Sequence, residues 1–500
     1  MANYLGVAIG FVTTFVVVTR MLTQEEVGLT RMMVDAAMLF SSLAQLGVNS
    51  AVVKFFPHFK GGGGDGRGHD CYHGAFGWSL LLPLAGFTLF ALLFLVFHDA
   101  LTATYVQQAP LLADYLYLLP MLTFCAMYMT VFETNASVLM RITVPKLVRE
   151  VGVRLFTLAA YLLYGFGVVG IDGFVWLFCG SYAVAMVLNL VYLMAINDFD
   201  FRIFKIEKGF VDRRFGAEML RYSLFMTATT LAGNVPLINS LFLGATAGAA
   251  TAGVYAIASY IANVVEVPYR SLGAISRPVI SQAVKAGDWK EVNRLGRQVS
   301  LHQMIVSLLI FYAIWINLDA LFTLLSNGDG YRAGVGVVLV LGLAKVLNSS
   351  LSISTDVLNY SRHYMWGLLF IALLTGTAVA LNVPMIGALG INGAACATLA
   401  AYVVYFGTLL LFLWRKLHFS PFGAGQLKMV ALTALMLLLD WLWRAMVAPL
   451  FGGAVIVDAL VKSVVLVGMM CVGVYVWKIS PTMNAMAIGM LHRGGHNAKN

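Results

Sequence analysis

Gly167-Val168-Val169-Gly170-Ile171-Asp172-Gly173 returns about 220 residues later as Gly387-Ala388-Leu389-Gly390-Ile391-Asn392-Gly393. Each copy follows one apolar run of membrane-spanning length and opens the next. Self-similarity at a long fixed period marks a duplicated architecture, and two related membrane halves are the pattern of carriers. Further echoes keep a similar offset. Glu26-Val27-Gly28-Leu29 resembles Ala252-Gly253-Val254-Tyr255, and Phe55-Phe56-Pro57 resembles Ile275-Ser276-Arg277-Pro278.

Composition agrees. Of 500 residues, 60% are hydrophobic and only 11% charged, against roughly 25% charged in soluble proteins. A helix needs about 20 mostly apolar residues to cross a bilayer. Fourteen segments qualify, near 3–20, 33–53, 74–97, 111–133, 150–168, 173–195, 219–243, 253–278, 299–318, 334–357, 365–385, 391–414, 428–448 and 456–478. The expected fold is therefore an all-α polytopic membrane protein of about fourteen transmembrane helices, with no length left for a soluble domain. Six spans per repeat make the repeats parallel, related by a pseudo-two-fold axis along the membrane normal. The expected parts are a six-helix lobe at 1–200, a cytoplasmic linker at 201–218 and a second six-helix lobe at 219–416. Residues 417–500 then hold two appended helices, thirteen and fourteen, and a cytoplasmic tail. The first span has no basic lead-in, so a cleavable signal peptide is not expected, and the abrupt start leaves room for a few missing leader residues. Cys125, Cys179, Cys396 and Cys471 fall inside spans and Cys71 in a loop, so no disulfide framework is expected.

The net charge of +9 is distributed by loop. Of the 32 Lys and Arg residues, 26 fall in alternate loops or at their edges, which orients that side to the cytoplasm. Both termini then face the cytoplasm, and the charge implies orientation rather than nucleic-acid binding. The opposite loops are short, the longest near 98–110 and 319–333, which disfavours a membrane glycosyltransferase or polymerase working on the outer face. The run Gly61-Gly62-Gly63-Gly64-Asp65-Gly66 reads as a flexible tether; it lacks the Gly-Lys-Ser/Thr ending of a phosphate loop. His58, His69, Asp70, Cys71 and His73 form only a loose set beside that tether, so no metal is expected. No nucleophile or nucleotide motif appears, so neither an enzyme nor a cofactor is expected. Lys285–Gln298 suits a short helix at the cytoplasmic surface.

Charges within spans are costly and mark candidate sites. They are Asp35, Glu133, Glu266, Arg270, Lys345, Asp356, Asp440 and Lys462. Glu266 and Arg270 share a helical face four residues apart. They read either as a structural ion pair or as a cargo clamp (Arg270) with a proton or sodium site (Glu266). Lys345 stands beside Asn348, Ser349, Ser350 and Ser352, a cluster suited either to lining a cavity or to interhelical hydrogen bonds. Arg31 and Asp35 repeat the four-residue spacing, with interfacial snorkelling the alternative for Arg31. Asp356 can share a face with Lys345. The expected cargo set is Arg31, Asp35, Arg270, Lys345 and Asn348, with Glu266 and Asp356 for ion coupling. Glu133 with Asn135 is expected at a solvated helix end, and Asp440 with Lys462 as a mutual pair. Asn234, Pro236 and Pro268 interrupt spans seven and eight, permitting bends.

Thr19-Arg20-Met21-Leu22-Thr23-Gln24-Glu25-Glu26-Val27-Gly28-Leu29 resembles the T-R-x-L-T-P-E-E-Y-G signature of bacterial polysaccharide-repeat (O-antigen type) flippases, members of the multidrug/oligosaccharidyl-lipid/polysaccharide (MOP) exporter superfamily. Leu46-Gly47-Val48-Asn49-Ser50-Ala51-Val52-Val53-Lys54-Phe55-Phe56-Pro57 is similar to their L-G-L-x-S-A-L-x-R-F-F-P block. Gln24 and Val27 depart from the family's proline and tyrosine. The resemblance implies a MATE-like (MOP) fold in a bacterial inner membrane. It also implies flipping of an undecaprenyl-pyrophosphate-linked oligosaccharide for lipopolysaccharide O-antigen, exopolysaccharide or capsule, by alternating access of two lobes. The implied partners are that lipid-linked oligosaccharide, membrane lipid, an H+ or Na+ coupling ion, and a polysaccharide polymerase with its assembly proteins. The alternative is a multidrug or organic-cation exporter of the same fold. An acidic cavity would favour it, whereas Arg31, Arg270 and Lys345 are cationic. The two appended helices also favour the lipid-cargo branches.

Overall fold

A computed structural model describes residues 9–59, 74–196, 212–325, 328–451 and 454–484. Regular structure among these is entirely helical. Eleven helices are long and apolar enough to cross a membrane, and Ile9–Met21 and Leu237–Ala247 are shorter apolar helices. The fifth expected span is the helical stretch 143–165, in which Lys146, Arg149, Glu150 and Arg154 dilute the apolar run. All fourteen expected spans therefore have helical counterparts. Their outer faces carry bare apolar side chains, such as Val96 (75% exposed) and Val464 (78%). In water such faces would be a liability, but in hydrocarbon they are the ordinary surface.

Local chemistry sets the boundaries. Thr23 opens the helix Gln24–Ala44 with a capping box: its hydroxyl accepts from the Glu26 amide at 3.3 Å, and its own amide donates to the Glu26 carboxylate at 2.8 Å. The second span thus begins nine residues before its expected start. It also stops early, at Ala44, because Leu46 (φ 49°) and Gly47 (φ 67°) turn the chain before a new helix Val48–Phe59. The expected surface helix at 285–298 is not a separate element. Gly287 (φ 71°) closes Val267–Ala286, and Asp288 caps Trp289–Ile316, whose charged first turns run directly into the ninth span. Loops are shorter than expected, since 98–105 continues the helix Ala75–Tyr105 and Leu318–Leu324 is helical.

The two copies of the glycine motif are tight turns of different form. In the first, Gly167 takes the positive φ, within a five-residue connection between Val153–Gly165 and Ile171–Ile196. In the second, Gly390 alone separates Trp366–Leu389 from Ile391–Leu417 at φ 58°.

Cα packing divides the chain into two compact units, 1–256 with 325–327, and 257–324 with 328–500. The division falls inside the helix Ala249–Asn263, whereas the repeat-based lobes are counted from 201–218. In the first unit, Met127, Tyr128, Val131 and Phe132 form a core with Ala44 and Leu193. Arg213–Gly233 is helical from its first basic residues, and its Phe215, Met219 and Tyr222 pack on Phe55 and Phe59. In the second unit, the appended helices Ala424–Met446 and Val455–Val476 bury Met429, Leu432, Met436, Leu466 and Met470 against Ile305, Leu308, Phe311 and Tyr312 of the ninth span. Asp440 holds Arg444 at 3.0 Å and Lys462 at 3.8 Å, so the mutual pairing expected of Asp440 and Lys462 is present, with Arg444 as a third member.

Within the first unit, helices Gln24–Ala44 and Ala249–Asn263 touch through glycine. A Cβ added to Gly28 would lie 1.9 Å from the Ala249 carbonyl oxygen, and one added to Gly253 would lie 2.1 Å from that of Gln24. Small residues permit such backbone approach between membrane helices, and both lie within the four-residue stretches that resemble each other. Gly28→Val is expected to cost about 1–3 kcal/mol through overpacking and to lower the melting temperature of the purified protein in detergent. Gly180→Val, whose Cβ would enter open space, should leave it unchanged. Equal melting temperatures for both variants would refute the contact.

Candidate functional site

Two breaks in corresponding spans organise the polar interior. The second span is interrupted at Gln45–Gly47, and the eighth at Val264–Glu266, a 3-10 turn followed by Pro268 in the first turn of Val267–Ala286. Their separation, about 220 residues, is that of the sequence echoes. Matching broken helices in two repeats expose backbone and side-chain polar groups where carriers hold cargo. At the first break, the Asn49 amide donates to Gln45 at 2.6 Å. At the second, Glu266 is the break's last residue.

Glu266 accepts from Lys345 Nζ at 3.2 Å and from Asn348 Nδ2 at 2.8 Å. Both charged side chains are 11% exposed. Lys345 and Asn348 belong to the helix Gly328–Tyr360, three residues apart and so on one face. That face continues through Ser352, whose hydroxyl donates to Gln303 at 3.4 Å, to Asp356. Asp356 takes the Arg277 guanidinium at 3.3 Å, and Arg277 also donates to the Tyr269 hydroxyl at 3.2 Å. Thr355 and Tyr405 are hydrogen-bonded at 2.9 Å beside it. The tenth span thus carries a polar stripe through the second unit, anchored by an ion pair at each end. The buried Ser349 and Ser354 hydroxyls have no hydrogen-bond partner among the described residues.

In the first unit, Asp35 is buried and accepts from Arg31 Nε at 2.7 Å and from the Ser240 hydroxyl at 2.6 Å. Arg31 keeps about a third of its side chain exposed, so part of its guanidinium remains free to meet an anion. Glu26 is buried too, and accepts from the Tyr164 hydroxyl.

The expected residues thus fall into groups. Lys345, Asn348 and Glu266 come together, as do Arg31 and Asp35. Asp356 lies on the face expected of it but pairs with Arg277, which sequence reading had placed among cytoplasmic loop charges. The Arg270 side chain lies outside the described residues, so its pairing with Glu266 does too. Glu133 and Asn135 do not form a solvated end. Both are buried, with Glu133 2.8 Å from Arg149 and Asn135 donating to Ser79 at 2.9 Å. Of the loose loop set, His69, Asp70, Cys71 and His73 lie outside the described residues. No group of three or more metal-ligating side chains occurs among the described residues.

Solved structures share this fold at low identity. The inward closed conformation of the lipid II flippase MurJ superposes with a TM-score of 0.61 and 13% identity, covering 92% of this chain and 98% of that one. An inward-facing multidrug resistance MATE family transporter of the MOP superfamily gives 0.62 and 15%, covering 83% and 94%. A MOP superfamily transporter from Pyrococcus furiosus, described as having a binding pocket of reverse polarity, gives 0.55 and 14%, covering 83% and 94%. The fold is therefore that of the MOP superfamily, and the chain is a multi-pass membrane protein. A search of curated protein sequences returns no significant match. The family model described as "Polysaccharide biosynthesis protein" matches residues 1–284, which include the capping-box signature, the first helix break and Glu266, and the chain belongs to that family.

Proposed function

We propose that the protein is a flippase rather than an enzyme. It carries an undecaprenyl-pyrophosphate-linked oligosaccharide, the repeat unit of an O-antigen, exopolysaccharide or capsule, from the cytoplasmic to the outer leaflet of a bacterial inner membrane. Family membership and the fold shared with a lipid II flippase support this reading. The observation that carries it is Lys345, a buried cation held by Glu266 at a helix break. Sugars and pyrophosphate cannot cross hydrocarbon unaided, so their carrier must offer cations and hydrogen-bond donors at membrane depth. The prenyl tail can stay in lipid if the cavity opens sideways.

The pair suggests a coupling chemistry. When a pyrophosphate oxygen takes over Lys345, Glu266 loses its cation, and a buried carboxylate so abandoned costs about 3–5 kcal/mol. Binding a proton or Na+ at Glu266 removes that cost. Cargo and ion are thereby linked through one ion pair, since the occupancy of either changes the affinity for the other. Arg270, one helical turn from Glu266 in sequence, is assigned as a second phosphate ligand, and Arg31 with Asp35 to the cargo path. Asp356, tied to Arg277, is assigned to ion coupling. Two lobes rocking about the repeat axis would alternate access, with both termini in the cytoplasm and a polymerase receiving the product.

Lys345→Ala and Arg270→Ala are expected to abolish surface polysaccharide while the variants remain in the membrane at wild-type abundance. Normal polysaccharide from stably expressed variants would overturn the assignment. A drug exporter of the same fold would instead lose resistance to organic cations and leave polysaccharide intact. Glu266→Gln, which keeps the shape but removes the titrating group, is expected to preserve cargo binding while making flipping in proteoliposomes insensitive to an imposed ion gradient. Undiminished gradient dependence would remove Glu266 from the coupling.

A further inference from the structure

We propose that the second unit carries a separate anion site, built for a phosphate group, where the appended helices meet the ninth span. A cavity of roughly 800 Å³ lies between the first turns of Trp289–Ile316, the connection His418–Gly423 and the segment Ile479–Thr482 that follows the fourteenth span. Among the described residues Lys290, Arg294, Arg297 and His418 line it, and no carboxylate does. The two acids nearest in sequence are already engaged. Asp288 caps its own helix through the Glu291 amide at 3.0 Å, and Glu291 holds Arg294 at 2.6 Å. Arg297 donates to the Ser420 carbonyl at 3.4 Å, which spans the cavity wall without neutralising its charge. Lys290 and His418 have no carboxylate partner among the described residues. The helix Ala424–Met446 also begins here, with Gly423 and Gly425 in the lining. Its first amides lack intrahelical acceptors and add positive potential.

The level of the cavity argues for a phosphate rather than a carboxylate metabolite. Trp289 lines it, while Trp414 (60% exposed) and Trp477 (38%) ring the same ends of the adjoining helices. Tryptophan collects where hydrocarbon gives way to headgroups. A basic cavity between helix ends at that depth matches the phosphate of an anionic lipid headgroup, and inorganic phosphate shares its chemistry. The site is distinct from the Glu266–Lys345 stripe, shares no residue with it, and does not depend on the cargo proposed above.

Purified full-length protein in an uncharged detergent would be titrated with phosphatidylglycerol, phosphatidylcholine or inorganic phosphate at matched ionic strength, reading the melting temperature. The wild type is expected to be stabilised by phosphatidylglycerol and not by phosphatidylcholine. Stabilisation by inorganic phosphate as well would make free phosphate a second source, and its absence would commit the site to lipid. Lys290→Gln/Arg297→Gln is expected to weaken the response at least roughly tenfold, the effect of losing about one good charged contact. Lys290→Gln alone breaks no described contact and should weaken it in the same direction, so a folding defect from the lost Ser420 contact cannot mimic the result. Arg362→Gln/Arg415→Gln removes as much charge without touching the lining and should titrate as wild type. Equal stabilisation by phosphatidylcholine, an undiminished response in the Lys290 variants, or an equal loss in the Arg362/Arg415 control would each overturn the site.

Discussion

Five carboxylates in the apolar spans are each held by a cation, and that pairing shapes the interior of this protein; Glu26 takes the Tyr164 hydroxyl instead. Asp35 has Arg31, Glu133 has Arg149, Glu266 has Lys345, Asp356 has Arg277, and Asp440 has Arg444 and Lys462. Each pair closes within its own compact unit. Four of the five acids are buried as whole residues, at 8% exposure or less. Removing either member of a buried pair costs more than the pair contributes, because the survivor is left desolvated and uncompensated. These contacts therefore act as constraints on packing more than as sources of stability. A helix carrying one member cannot rotate or slide without stranding the other.

The same constraint separates structural pairs from candidate working ones. Glu133–Arg149 and the Asp440 group join helices at single points. Glu266–Lys345 differs because it lies at a helix break, beside an amide donor and on a stripe of further polar groups. Continuous helix satisfies its own backbone, so an interruption at membrane depth is retained only where the freed groups are used or covered. The proposed site is put at the eighth span because Glu266, Lys345 and Asn348 meet at that turn.

Much of this was legible before the structure. Composition and span length fixed an all-helical membrane bundle, and spacing alone placed Lys345 and Asn348 on one face. The flippase-like signature now has a mechanical reading. Its Thr23-x-x-Glu26 is a capping box, and Gln24, where the signature it resembles has proline, is the first residue of the helix. Proline is favoured there because its missing amide is not needed, and any good helix former serves equally. Other features were hidden for definite reasons. Hydropathy averages over a window, so the one-turn break at Gln45–Gly47 disappeared into an apolar run. Leu46 gave no warning because a positive φ at leucine is imposed by packing rather than advertised by residue type. Glu133 looked solvated because its partner, Arg149, comes from the next span, and pairing across helices leaves no mark on local sequence. Arg277 was counted with loop charges because charge counting assigns cations to a side and cannot detect that one of them reaches a carboxylate on another helix.

The glycine echo that first suggested two halves acquires physical content at Gly28 and Gly253. Either helix could have used one small residue to admit the other's backbone. Here each glycine receives a carbonyl from the opposite helix, Ala249 at Gly28 and Gln24 at Gly253. Each helix thus admits the other's backbone at a glycine, which fixes the approach from both sides. The terminal motifs Gly167–Gly173 and Gly387–Gly393, by contrast, have diverged into turns of different length. A Cβ added to Gly393 would lie 2.0 Å from the Met385 carbonyl oxygen, so the second turn is held by the same kind of close backbone approach as Gly28 and Gly253.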